Sequence, residues 1–166
     1  MEQSLEYRPG TFFHFDASGM LANNARVGKG LIYSASWIAM IPGLETATTL
    51  YAFGNREKEK EAVWESIRAS EFAEKPSRDK ALFLFTSRED ADRTGALWFG
   101  SERRQLFELL VPTTSLLHIA DARHLDATKS RWEDAARKYW SGELTEDPHR
   151  EAVLHGAAFV PNWQKL

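Results

Sequence analysis

The chain has 166 residues, 43% of them apolar, which suffices for one domain with a proper core and argues against disorder. Its 21 basic and 24 acidic side chains leave a formal net charge of −3, so no overall field draws it to nucleic acid, although a local basic patch stays open. The lack of cysteine excludes disulfides, zinc–thiolate sites and thiol nucleophiles together, and it fits a cytoplasmic protein.

The first six residues are polar and acidic, unlike a signal peptide. Thr11 to Asp16 is rich in aromatics and predicts a short strand. Residues 18–30 hold three glycines and two asparagines, which suits a turn-rich loop. Residues 31–40 suit either a strand or a helix before the break at Pro42-Gly43. The apolar stretch there is too short and too interrupted to span a bilayer, so no membrane association is expected.

Glu57 to Phe72 predicts a helix. Val63, Trp64 and Ile67 form its apolar stripe, while Glu57, Lys58, Glu59, Lys60, Glu61 and Arg68 read as solvated. Pro76 stops it, because the residue before a proline is pushed towards extended geometry. Ala81 to Phe85 is a continuous apolar run, as in a buried strand. Thr86 or Ser87 then caps a helix, with Glu89 or Asp90 three residues on completing a capping box.

Gln105 to Val111, closed by Pro112, and Leu116 to Ala120 predict two further strands. Lys129 to Trp140 is the clearest helix: Trp132, Ala135, Ala136, Tyr139 and Trp140 share one face, and Gly142 supplies a stop. Glu151 to Leu154 and Ala157 to Val160 predict a closing hairpin around His155-Gly156. This order predicts an α+β fold with mixed or antiparallel sheets and flanking helices. No linker divides it, so one domain over residues 1–166 is expected, with its core at about residues 11–160.

Several catalytic signatures are missing. Gly28-Lys29-Gly30 is a glycine-flanked lysine and no phosphate loop. No dinucleotide-type G-x-G-x-x-G follows a strand, and no metal-ligand spacing relates His14, His118, His124, His149 and His155. No nucleophile elbow occurs. These absences argue against a kinase, a Rossmann dehydrogenase, a zinc protease and an α/β-hydrolase.

Three stretches carry more. Phe12-Phe13-His14 puts a histidine on a strand, Leu82-Phe83-Leu84-Phe85-Thr86-Ser87 runs a strand into hydroxyls at a helix start, and His149-Arg150-Glu151-Ala152-Val153-Leu154 opens a late strand with a glutamate. In this order they resemble the ADP-ribosyltransferases. With Glu65-x-x-Arg68, Pro76-Ser77-Arg78 and Tyr139-Trp140-Ser141-Gly142, they also resemble a bacterial family of unassigned function thought to be ADP-ribosyltransferase-like. The likeness covers most of residues 11–160.

The resemblance implies an NAD-dependent ADP-ribosyltransferase using NAD as substrate and no metal. His14 would hydrogen-bond a ribose hydroxyl, and Arg78 would lie near the pyrophosphate. Thr86 and Ser87 would brace the nicotinamide pocket, with Phe83 or Phe85 stacking on the ring. Glu151 would bind the ribose 2′-hydroxyl and stabilise the cation that grows as nicotinamide leaves. The acceptor would be a protein, a nucleic acid or a small molecule. The chain departs from the pattern at Phe15-Asp16, where Gly-Thr is usual, and at His149, where arginine-modifying members carry a second acid or amide. It also lacks a tyrosine at the stacking position of the histidine-tyrosine-glutamate subgroup. The alternatives are a non-catalytic nucleotide-binding or protein-interaction module on the same fold, and a plain α+β interaction domain.

Overall fold

The elements run β1 (Phe12–Phe15), α1 (Met20–Val27), β2 (Leu31–Tyr33), α2 (Ala35–Ile38), α3 (Lys58–Glu71), β3 (Leu82–Leu84), α4 (Arg88–Phe99), β4 (Leu106–Leu109), β5 (Leu116–Asp121), α5 (Trp132–Ser141), β6 (Arg150–His155) and β7 (Ala157–Phe159). Short 3-10 turns lie at Ala122–Asp126, Lys129–Arg131 and Trp163–Lys165. This computed structural model describes residues 5–16, 18–49, 57–102 and 104–166.

The strands form three small antiparallel sheets, β1-β4, β2-β7 and β3-β6-β5. Single bridges stitch them together: Phe13 to Phe85 joins β1 to the end of β3, and Leu110 to Phe159 joins the β4 edge to β7. The fold is α+β with small antiparallel sheets and flanking helices, as the order of patterns implied.

Strand β6 organises the interior. Alternate residues of a strand face opposite sides. Ala152 and Leu154 therefore pack with Phe12, Ile32, Leu84, Phe107 and Leu109. Val153 faces the other way, onto Trp64 of α3, Ala120 of β5, and Tyr139 and Trp140 of α5. The same alternation puts Glu151 on the Val153 side. Helix α5 forms as its apolar stripe predicts, with Ala135, Ala136, Tyr139 and Trp140 buried, and it ends on Gly142 at φ 83°, a left-handed value that favours glycine. The Trp140 indole N–H donates to the Trp64 carbonyl at 2.9 Å, tying α5 to α3.

Two expectations are corrected and one open choice is resolved. The expected loop over residues 18–30 contains helix α1. Asp16 makes this possible: its Oδ1 accepts from the N–H groups of Ser18, Gly19 and Leu21, and its Oδ2 from that of Ala22. One carboxylate thus satisfies donors that a helix start leaves open. Residues 31–40 are both of the options left open, strand β2 followed by helix α2, with the Ser34 hydroxyl capping the helix by accepting from the Trp37 N–H. The expected closing hairpin does not form. β6 pairs with β3 and β5 while β7 pairs with β2, because the chain bends at Gly156 and changes sheet. Gly156 has φ +126°, and a Cβ there would stand 2.8 Å from the Ser115 hydroxyl.

Candidate functional site

Glu151 enters the site because β6 is held on both sides, with Glu151 opposite Ala120 of β5. The approach to β6 is fixed by Asp121, which is fully buried. Its carboxylate accepts from the N–H groups of Arg123, Thr145 and His149 and from the Thr145 hydroxyl. Burial opposes ionisation of Asp121, but these four hydrogen bonds outweigh it and lower its pKa from the ordinary aspartate value to about 2.

On the Val153 side of β6 a second acid, an arginine and a tyrosine gather around Glu151. Arg78, only 5% exposed, lies in the segment between α3 and β3. Its Nε and Nη2 donate to the Glu61 carboxylate at 3.0–3.3 Å. Its Nη1 donates to the Tyr139 hydroxyl at 2.7 Å and to Glu151 Oε1. The Tyr139 hydroxyl in turn donates to the same Oε1 at 2.5 Å. The guanidinium also lies over two rings, 4.9 Å from the centroid of Phe83 and 5.3 Å from that of Tyr139.

Burial disfavours charge on Arg78, but Tyr139, Glu151 and Glu61 prevail and push its pKa up. Burial, then the charge of Glu151, pushes the Tyr139 phenol well above its usual range, which keeps it a neutral donor. The second oxygen of Glu151 has no hydrogen-bond partner among the described residues.

The segment carrying Arg78 is stapled to α3 by the Glu65-x-x-Arg68 pair. Arg68 grips Glu65 through Nε at 3.0 Å and Nη2 at 2.6 Å, and donates to the Lys75 carbonyl at 2.9 Å. The Ser77 hydroxyl donates to Glu65 at 2.8 Å. That motif therefore supports the site and does not line it.

His14 approaches from β1. Its Nδ1 is 2.8 Å from the Phe83 carbonyl oxygen. A carbonyl only accepts, so Nδ1 carries the hydrogen. Burial lowers the pKa of His14 against the opposing pull of that carbonyl and of Asp16, so the ring is neutral at pH 7. Nε2 is then an acceptor, with no partner among the described residues.

His14, Arg78, Phe83, Phe85 and Glu151 all line one cavity of about 690 Å³. That size is within the range of small-molecule sites. Phe15, Phe83, Phe85, Trp98 and Phe99 give the cavity an aromatic side. The rings meet edge-on or tilted: Phe15 is 5.8 Å from Phe85 and 5.3 Å from Phe99, and Phe85 is 5.9 Å from Trp98.

Thr86 and Ser87 are not among the cavity-lining residues. Ser87 instead caps α4, its hydroxyl accepting from the Asp90 N–H at 3.1 Å. Arg78 does line the cavity, but its donors are engaged by protein carboxylates. Phe15-Asp16, the departure from the usual pattern, is explained locally: Phe15 lines the cavity and Asp16 caps α1. Lys60 and Glu61, expected in solvent, turn inward to the cavity. The signal for Glu61 was its three-residue spacing from Trp64, which places both on one helical face. Tyr139 reads from sequence as core packing; it is core, and its hydroxyl also completes the acid cluster.

Among the described residues no group of acids and histidines could hold a metal ion, and no helix is long and apolar enough to cross a membrane.

These features define an α+β protein in which a carboxylate–arginine–tyrosine cluster and a neutral histidine face one cavity. The chain belongs to the family described as a protein of unknown function (DUF2441), whose model matches residues 45–162. The matched span takes in Glu61, Arg78, Tyr139 and Glu151, and leaves out His14. No curated protein matches the chain.

Proposed function

We propose that the protein binds NAD in this cavity and transfers ADP-ribose to an acceptor, releasing nicotinamide. The observation that supports this most is the convergence of His14, Phe83, Phe85 and Glu151, distant in sequence, on one cavity. The Nε2 of a neutral His14 is suited to accept a hydrogen bond from a ribose hydroxyl. The aromatic side suits a flat heterocycle.

In the reaction the bond between ribose C1′ and the nicotinamide nitrogen breaks. Its electron pair leaves with nicotinamide, whose ring loses its positive charge, and positive charge grows on the ribose. Glu151 lies ready as an anion fixed before that charge appears, since Arg78 and Tyr139 hold one of its oxygens. An acceptor lone pair then bonds to C1′, and the acceptor proton passes to solvent. Water as acceptor gives NAD hydrolysis.

The test is a titration with NAD followed by thermal stability, then an assay of nicotinamide release with acceptor mixtures. Binding to the native state raises the melting point. Glu151→Gln should cut release by about 100-fold or more while leaving NAD binding nearly intact. Undiminished release in that variant would contradict the role given to Glu151.

A second reading keeps the cavity and drops the chemistry. The buried engagement of Arg78 by Glu61 and Glu151 favours it, since such a cluster also serves to lock α3, α5 and β6 together. Under this reading NAD or a related nucleotide binds without nicotinamide release.

A further inference from the structure

Five basic side chains, Lys60, Arg78, Arg104, Arg123 and Arg150, line the cavity. Four are engaged within the protein. Arg78 is held by Glu61, Tyr139 and Glu151. Lys60 donates to the Leu125 carbonyl at 2.9 Å and pairs with Glu57 at 2.6 Å. Arg123 grips the backbone and side chain of Asp147. Arg104 pairs with Glu102 at 3.5 Å and lies 4.4 Å from the centroid of the Phe99 ring.

Arg150 differs. It is half-buried at the start of β6, directly before Glu151, and makes no side-chain hydrogen bond or ion pair with any described residue. Glu57 and Asp126 also line the cavity, but both are exposed and neither is joined to Arg150. A guanidinium is a rigid fork of donors, and no nitrogen of Arg150 is buried without a partner, so the fork stays open to water or to a ligand. Phosphate oxygens match that fork in shape and charge.

We infer that Arg150 is the anion-binding residue of the cavity and takes a phosphate of the ligand. The inference deepens the NAD reading and rests on it for the identity of the ligand. It moves the phosphate contact from Arg78 to Arg150. The residue adjacent to Glu151 would then fix the diphosphate while Glu151 meets the ribose.

The experiment is calorimetric titration of the full chain and of Arg150→Gln and Arg150→Lys with ADP-ribose, adenosine and inorganic pyrophosphate. The Arg150 side chain makes no hydrogen bond or ion pair with any described residue, so both variants should melt like the parent chain. In Arg150→Gln the ADP-ribose Kd should rise about tenfold or more, pyrophosphate binding should vanish, and adenosine binding should not change. Arg150→Lys should restore part of the loss, as a point charge without the fork. If Arg150→Gln binds ADP-ribose as tightly as the parent chain, the assignment is wrong and the NAD reading stands. If the parent chain binds pyrophosphate through Arg150 but neither ADP-ribose nor NAD, the anion assignment stands and the dinucleotide reading falls. If the parent chain binds none of the three, both fall.

Discussion

The two sides of β6 are built on different principles. On one, Ala152 and Leu154 meet Phe12, Leu84, Phe107 and Leu109, and the packing is apolar throughout. On the other, Val153 shares its side with Glu151, and the Trp64–Tyr139–Trp140 cluster adjoins a buried arginine held between two carboxylates. The first arrangement is what a fold needs. Buried ion pairs seldom stabilise more than well-packed hydrocarbon would, because both charges must be desolvated. The second is therefore better explained by what it positions, namely a carboxylate at the wall of a cavity.

The sharpest way to break this contrast is to remove the arginine. Arg78→Ala leaves the partly buried carboxylates of Glu61 and Glu151 without their buried cation and should cost about 3–5 kcal/mol in a urea unfolding series. A loss below about 1 kcal/mol would mean the polar cluster is not coupled to folding. Leu154→Ala tests the opposite side. It should cost about 2–5 kcal/mol through the cavity it opens, yet leave ligand affinity unchanged in the folded fraction. An affinity change comparable to that of the cavity variants would erase the distinction.

Asp121 gives a pH test. Its folded pKa is depressed to about 2 from an ordinary value of 3.8. The stability it contributes is thus present above about pH 4 and is lost as pH falls towards about 2. Linkage puts the amount at about 2 kcal/mol. Unfolding free energies of the parent chain and Asp121→Asn, measured at a series of pH values, should converge as pH falls through that window. Tyr139→Phe is the mildest change, deleting one hydroxyl that donates to Glu151, and should cost about 1 kcal/mol. Its sharper readout is nicotinamide release, which should fall more than stability does if the phenol holds the carboxylate in place.

Elements whose burial follows a simple period were legible from sequence. The α5 stripe, the β3 run and the Ser87 cap are local patterns, and they form as read. Helix α1 was hidden because its start depends on Asp16, four residues before Met20 and outside the helical pattern. The missing hairpin is a long-range matter: the partners of β6 are β3 and β5, and no local signal at Gly156 reports them. Of the candidate site, the resemblance named His14, Phe83, Phe85, Arg78 and Glu151 and implied that they meet at one cleft; it also named Thr86 and Ser87, which do not line the cavity. Glu61 was masked by the run of charges around it, and the hydroxyl of Tyr139 by the apolar stripe it sits in. A helical stripe reports which side chains are buried, and says little about which polar atom one of them presents at its end.

The central claim is that Glu151 is a carboxylate fixed at a nucleotide site. The most direct measurement is nicotinamide release from NAD by the parent chain and by Glu151→Gln, with NAD affinity measured on the same samples. The account predicts matched affinities and a loss of release of about 100-fold or more. Equal release by the two proteins, or no NAD binding by either, would contradict it.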